Sequence, residues 1–134
     1  MVAYHEISIN TKKRCHWVDI TPEVNRAIGQ EKISQGICLV SSLHTTGAIT
    51  INENADPDVE RDFFWKLSQL IPQESAYRHS EGNSDSHLKT SLVGPSVQVP
   101  VRNGRVELGT WQSIYFCEFD GPRSRRVSVT VVGE

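Results

Sequence analysis

Apolar and polar residues alternate with period two at the start of the chain. Ala3, His5, Ile7 and Ile9 fall on one face and Tyr4, Glu6 and Ser8 on the other, the pattern of a half-buried strand. After a polar turn at residues 10–14, residues 15–20 read as its hairpin partner. Thr21 then reads as a helix cap, with Pro22 in the first turn and Glu23 favourable to the helix dipole. Val24, Ala27 and Ile28 make the stripe of this helix, and Gln35-Gly36 stops it. Residues 37–43 form a strongly apolar strand that turns polar at Ser41-Ser42, and His44-Thr45-Thr46-Gly47 bends the chain into another strand at 48–52. A second helix starts on the cap Asp56 and Pro57. In it Val59, Phe63, Phe64, Leu67, Leu70 and Ile71 recur at helical spacing as far as Pro72, so it should pack hard against a sheet.

The polar run 73–86 is the longest irregular segment, followed by a short helical turn over 86–93 that Gly94-Pro95 closes. The rest reads as β: 96–101, an Asn103-Gly104 hairpin turn, 105–108, 111–119 and 125–132, with Asp120-Gly121-Pro122-Arg123 as the turn between the last two. The expectation is a single α+β domain over residues 1–134, a largely antiparallel β-sheet core with two main helices.

Composition narrows the function classes. In 134 residues, 37% apolar and 22% charged describe an ordinary globular protein, and a net charge of −2 supplies no field that would draw it to nucleic acid or an anionic membrane. No apolar run is long enough to span a bilayer, and Met1 to Glu6 lacks the basic and then apolar regions of a signal peptide, so the default location is cytoplasmic. Cys15, Cys38 and Cys117 have no CxxC spacing and apolar or aromatic neighbours, which reads as buried thiols rather than nucleophiles or a disulfide framework.

The candidate chemistry collects in residues 78–89, a polar run holding His79, Glu81, Asn83, Asp85, His87 and Lys89, and at His44, where an apolar strand ends. Long loops in compact domains are usually functional or disordered, and the histidines and carboxylates in this one favour function. Neutral imidazoles suit a divalent metal, and three of them with an open position would form a catalytic-type site, although no HExxH or CxxC spacing is present. Zinc, manganese, iron and nickel all fit such a donor set. Glu53 reads as a general base or a carboxylate orienting a histidine near the same mouth, or else as a solvated loop residue. Asp85 reads as a ligand, an acceptor behind one, or a helix cap, capping being the simplest. Glu81 reads as surface, and His5 and His16 as strand filler. Lys89 and Arg123 could hold a phosphate or pyrophosphate. Arg125 and Arg126 must point to opposite faces of a strand, which leaves Arg123 the better candidate. Trp111, after the kink-prone Gly109, either walls a pocket for a flat ring or is core.

Three blocks, Ser42-Leu43-His44-Thr45-Thr46-Gly47 through Glu53, Gly82-Asn83-Ser84-Asp85-Ser86-His87-Leu88-Lys89, and Leu108-Gly109-Thr110-Trp111-Gln112 with Glu118 to Arg126, resemble the YjbQ family, also called uncharacterised protein family 0047. The resemblance covers essentially the whole chain, with the blocks in the family's order. It implies a compact α+β fold, a homotrimer, and a histidine-lined metal site near subunit boundaries. It also implies a weak, secondary thiamine-phosphate synthase activity, which joins a pyrimidine carried on a pyrophosphate to a thiazole phosphate. By motif it carries over His44 and His87 as metal ligands, with His79 as the third. In that reading Arg123 or Lys89 stabilises the departing pyrophosphate and Trp111 stacks on a ring. The alternatives are a metal-dependent phosphoester hydrolase with Glu53 as base, and a non-catalytic trimeric binder of a small anionic metabolite.

Overall fold

Alternation along the chain resolves into two antiparallel sheets. The computed structural model describes residues 1–134, with β1 (Val2–Asn10), β2 (His16–Asp19), α1 (Thr21–Gln30), β3 (Gly36–Ser42), β4 (Gly47–Glu53), α2 (Pro57–Leu70), α3 (Ser84–Val93), β5 (Ser96–Arg102), β6 (Arg105–Val106), β7 (Gln112–Glu118) and β8 (Ser124–Gly133). One sheet runs β1-β8-β3-β5-β6 and the other β2-β7-β4. The α+β class with an antiparallel core is as the sequence indicated, and the helical turn expected near residue 86 is a full third helix of ten residues.

The inward positions of the larger sheet, among them Val40, Val99, Val127, Val129 and Val131, meet Ile49, Ile114 and Phe116 of the smaller one and Val24, Ala27 and Ile28 of α1. The far side of the smaller sheet, with Trp17, Ala48, Tyr115 and Cys117, is covered by Phe63, Phe64 and Leu67 of α2. β7 is therefore buried on both faces, which explains its unbroken apolar run. Tyr115, Phe116 and Phe119 are core, whereas Trp111 is 63% exposed. In α2 the expected stripe is only partly used, since Leu70 points to solvent.

Two local expectations are corrected. Residues 15–20 are not the hairpin partner of β1: β1 pairs with β8, and β2 pairs with β7 in the other sheet. Alternation fixes which face is buried but not which strand lies alongside, and the 10–14 turn carries the chain across the sandwich instead of back along it. Thr21 is the first helical residue rather than the cap. Its Oγ1 accepts the Ile114 amide at 2.8 Å, and Asp19 accepts the Thr21 amide at 2.9 Å in its place. Asp56 does cap α2, accepting from the Asp58 amide at 2.9 Å. Asn103 and Gly104 both have positive φ, 53° and 75°, as a two-residue hairpin between β5 and β6 requires.

The consequence for function lies in how the sheets are joined. Residues 11–15 link β1 to β2, 43–46 link β3 to β4, and 119–123 link β7 to β8, each passing from one sheet to the other. The pairings Asn10 with Ser124, His16 with Glu118 and Gly47 with Glu118 set all three crossovers at one end of the sandwich. His44 and Arg123 ride on two of them.

Candidate functional site

Between the sheets at this end sits a buried ion pair, Arg125 from β8 and Glu118 from β7, 2% and 0% exposed. Arg125 Nε donates to Glu118 Oε1 at 2.7 Å, and its Nη2 pairs with Oε2. Nη2 also donates to Thr46 Oγ1 at 2.8 Å and to the Thr46 carbonyl at 3.3 Å. Glu118 accepts further bonds from the Thr11 hydroxyl at 2.7 Å and the Asp120 amide at 2.9 Å. One salt bridge thus ties together all three crossovers. Burial alone would push the Glu118 carboxyl up, but the bonds from Arg125, the Asp120 amide and Thr11 outweigh it and hold the group below its ordinary value.

His44 stands over this pair. Its ring meets Phe116 edge-on at 6.5 Å between centroids, and Phe116 in turn lies 5.8 Å from the Arg125 guanidinium. His44 Nε2 accepts the Arg126 backbone N–H at 2.8 Å. Burial, followed by the charges of Arg125 and Arg126, pulls its pKa below the ordinary histidine value. Glu118 opposes this and Arg123 adds to it. The turn is made tight by Gly47, where a Cβ would lie 2.1 Å from the Phe116 ring. Gly47→Ala should therefore lose about 1–3 kcal/mol in denaturant unfolding, as overpacked cores do, and an unchanged midpoint would show that the ring can step aside.

α3 brings the second imidazole. His87, with Thr90, Ser91 and Pro95, faces His44 and Thr45 across a cleft of 330 Å³. α3 docks through polar contacts, Arg14 Nη2 to Asp85 Oδ1 at 3.2 Å and Ser86 Oγ to the Phe119 carbonyl at 2.7 Å, while Lys89 Nζ pairs with Asp85 Oδ2 at 2.9 Å within the helix. Asp85 is therefore not a cap, since Asn83 holds that position and caps nothing through its side chain. Lys89 is 3% exposed with its ammonium engaged by Asp85 one turn away, so it holds the charge of the carboxylate that meets Arg14 rather than facing a substrate. Burial would raise the Asp85 carboxyl, but bonds from Lys89 and Arg14 overcome this and hold it low. Carboxyls held low stabilise the fold above their unfolded pKa values of about 4 and lose that contribution as pH falls through the lower folded values. Thermal midpoints should therefore drop below about pH 4, and Asp85→Asn, less stable at neutral pH, should fall less steeply there. An equally steep acid limb in that variant would exclude Asp85 as a source.

His79 is exposed. Its ring stands edge-on to His87 at 5.1 Å, and Nε2 lies 3.9 Å from Glu81. His44, His79, His87 and Arg123 thus gather at one end of the molecule, with Arg123 exposed and bonded to the Asp120 carbonyl and carboxylate at 2.8 and 3.0 Å. Glu53 is not among them. It closes β4 opposite Gln112, the length of a seven-residue strand from Gly47, roughly 20 Å at the usual rise. Its carboxylate accepts the Ala55 amide at 3.0 Å, a loop role. Trp111 lies at the same far end, its carbonyl bonded to the Asn54 amide at 2.9 Å. In the single chain His79 and His87 lie together while His44 Nε2 is already an acceptor, and no group of three His, Cys, Asp or Glu side chains is arranged to hold a metal ion. Sequence reasoning missed the lining hydroxyls of Thr45, Thr90 and Ser91, and the Glu118–Arg125 pair. A carboxylate in the apolar run 114–119 was the available signal for that pair, because a buried charge demands a partner.

A family model described as UPF0047 protein YjbQ-like matches residues 5–134. A UPF0047 protein of Methanocaldococcus jannaschii is 50% identical over 126 residues, covering 94% of this chain and 91% of its own. The UPF0047 protein YugU of Bacillus subtilis is 48% identical over 128 residues, covering 95% and 97%. Among solved structures, a YbjQ-like protein of unknown function from Sulfolobus solfataricus superposes with a TM-score of 0.94 at 32% identity, covering 100% of this chain and 99% of that one. A YjbQ/UPF0047 protein from Clostridium acetobutylicum gives 0.93 at 48% identity, covering 96% and 99%.

Proposed function

From a chain that belongs to the YjbQ-like UPF0047 family, we propose an enzyme that acts on small phosphorylated metabolites in the His44–His87 cleft, with secondary thiamine-phosphate synthesis as its reaction. The observation that carries this reading is the lining of the cleft: two imidazoles and three hydroxyl side chains, no carboxylate, beside Arg123. At 330 Å³ the cleft is of the size that takes a small metabolite. In the reaction, a pyrimidine methylene carbon loses pyrophosphate as the thiazole nitrogen bonds to it. Donors lining the cleft and Arg123 hold the departing oxyanion, and His87 supplies its proton. The divalent ion that the resemblance implies, zinc before manganese, iron or nickel, has its nearest paired donors in His79 and His87, and no step is assigned to it.

The hydrolytic alternative loses the base assigned to it, since Glu53 lies at the far end of β4. The binding-protein alternative is distinguished by product. Purified protein given both precursors should form thiamine phosphate and pyrophosphate in equal amounts, in proportion to protein added. Saturable binding with no product above a His87→Ala control sinks the synthase reading. The homotrimer and a cytoplasmic setting belong to the same proposal. Val2, Tyr4, Ile37, Leu39 and Val132 expose apolar surface on the outer face of the larger sheet, which supports self-association. No helix of the chain is long and apolar enough to cross a membrane.

A further inference from the structure

His44 and His87 share a cleft, yet their ring nitrogens are not equivalent. His44 Nε2 accepts the Arg126 backbone N–H at 2.8 Å. A backbone amide can only donate, so Nε2 must carry its lone pair there, and the ring proton of neutral His44 must sit on Nδ1. A ring fixed in that way has no lone pair left to give a metal. It has one N–H left to give an acceptor. Its surroundings favour an anion as that acceptor. The cleft wall consists of His44, Thr45, His87, Thr90, Ser91 and Pro95, with no carboxylate. The Thr90 hydroxyl is turned to the Ser86 carbonyl at 2.9 Å, and neither Thr45 nor Ser91 has a side-chain bond within the protein. The charged groups acting on His44 are Arg125, Arg126 and Arg123 against a single Glu118, and burial and those cations favour the neutral ring. Glu118 is itself matched by Arg125. Arg126 is partnered by Glu6 at 3.0 Å and Arg123 by Asp120, and both guanidinium groups are exposed, where an oxyanion can reach them.

We infer that the cleft is a phosphoryl-oxyanion site in which His44, locked as the Nδ1–H tautomer by the Arg126 amide, donates a hydrogen bond to a phosphate or pyrophosphate oxygen instead of ligating a metal. This rests on the cleft proposed above and assigns the class of group it holds. It predicts pyrophosphate binding that needs no divalent ion.

Two measurements on the wild-type protein decide it. Nitrogen-15 NMR of the imidazoles at neutral pH should show His44 as Nδ1–H. An Nε2–H form overturns the inference whatever any variant does. Calorimetric titration with inorganic pyrophosphate in excess EDTA should show saturable binding. Binding that appears only once zinc or manganese is added overturns it as well. His44→Ala should weaken pyrophosphate at least about tenfold, the size of one hydrogen bond to a charged group. His44→Asn, whose amide N–H falls near the position of Nδ1, should retain more affinity than His44→Gln, whose amide falls near Nε2. The reverse order counts against an Nδ1 donor. Pyrophosphate bound in EDTA by a protein that makes no thiamine phosphate would end the synthase proposal and leave this one standing.

Discussion

Arg125→Met should unfold about 3–5 kcal/mol more easily than the wild type, the range measured when one partner of a buried pair is removed. Glu118 would be left charged and fully buried, with only the Thr11 hydroxyl and the Asp120 amide to solvate it. Packing is not the main loss, since methionine fills much of the space of the arginine stem beside Phe116. Two tests separate the charge from the volume. Adding Glu118→Leu to Arg125→Met should recover most of the loss, because a buried pair replaced by apolar residues is often neutral or stabilising. The cost of the single variant should also shrink as pH falls, because burial without its partner raises the Glu118 carboxyl until it protonates. A double variant as unstable as the single one would mean that the bonds from Arg125 to Thr46, rather than charge pairing, hold the crossovers together.

That pair also marks where the sequence could be read and where it could not. β1, β3, β4, β7 and β8 follow from alternation or apolar runs, because each buries at least one face against a neighbour that needs no naming in advance. α1 and α2 follow from apolar spacing and prolines in the first turn. α3 is different: its buried residues are Asp85, Ser86, Lys89 and Thr90, so it has no apolar stripe to detect, and it docks by an ion pair whose third member, Arg14, lies 71 residues away in sequence. The pairing of β2 with β7 is likewise non-local, and the 10–14 turn has the same polar character whether it closes a hairpin or crosses between sheets. Glu53 illustrates the opposite trap. It is nine residues from His44, yet an intervening extended strand turns sequence proximity into the greatest separation the sheet allows. His44, His79 and His87 were legible because imidazoles in polar segments have few structural uses, but the lone pair of His44 could be assigned only once the Arg126 amide was in place.

In the proposed synthase reaction, His87→Ala should lower turnover by about 10²–10⁴, the usual contribution of a positioned acid or base. With His44 Nε2 committed to a backbone amide, His87 is the imidazole in the cleft that can both take up and release a proton. His79 touches its ring from outside the cleft and is exposed, so His79→Ala should have the smaller effect. The His87 side chain makes no hydrogen bond within the chain and α3 is held through Asp85 and Ser86, so stability should change by no more than about 0.5 kcal/mol, as at ordinary surface positions. A folded, inactive protein is therefore the expected result. The pyrophosphate release step should carry the loss: kcat falls while KM for the thiazole partner, which receives no proton, changes little. Equal losses in binding of both substrates would make His87 a binding group. A kcat reduced less than tenfold would place the proton donor elsewhere, with solvent reached through the open side of the cleft as the next candidate.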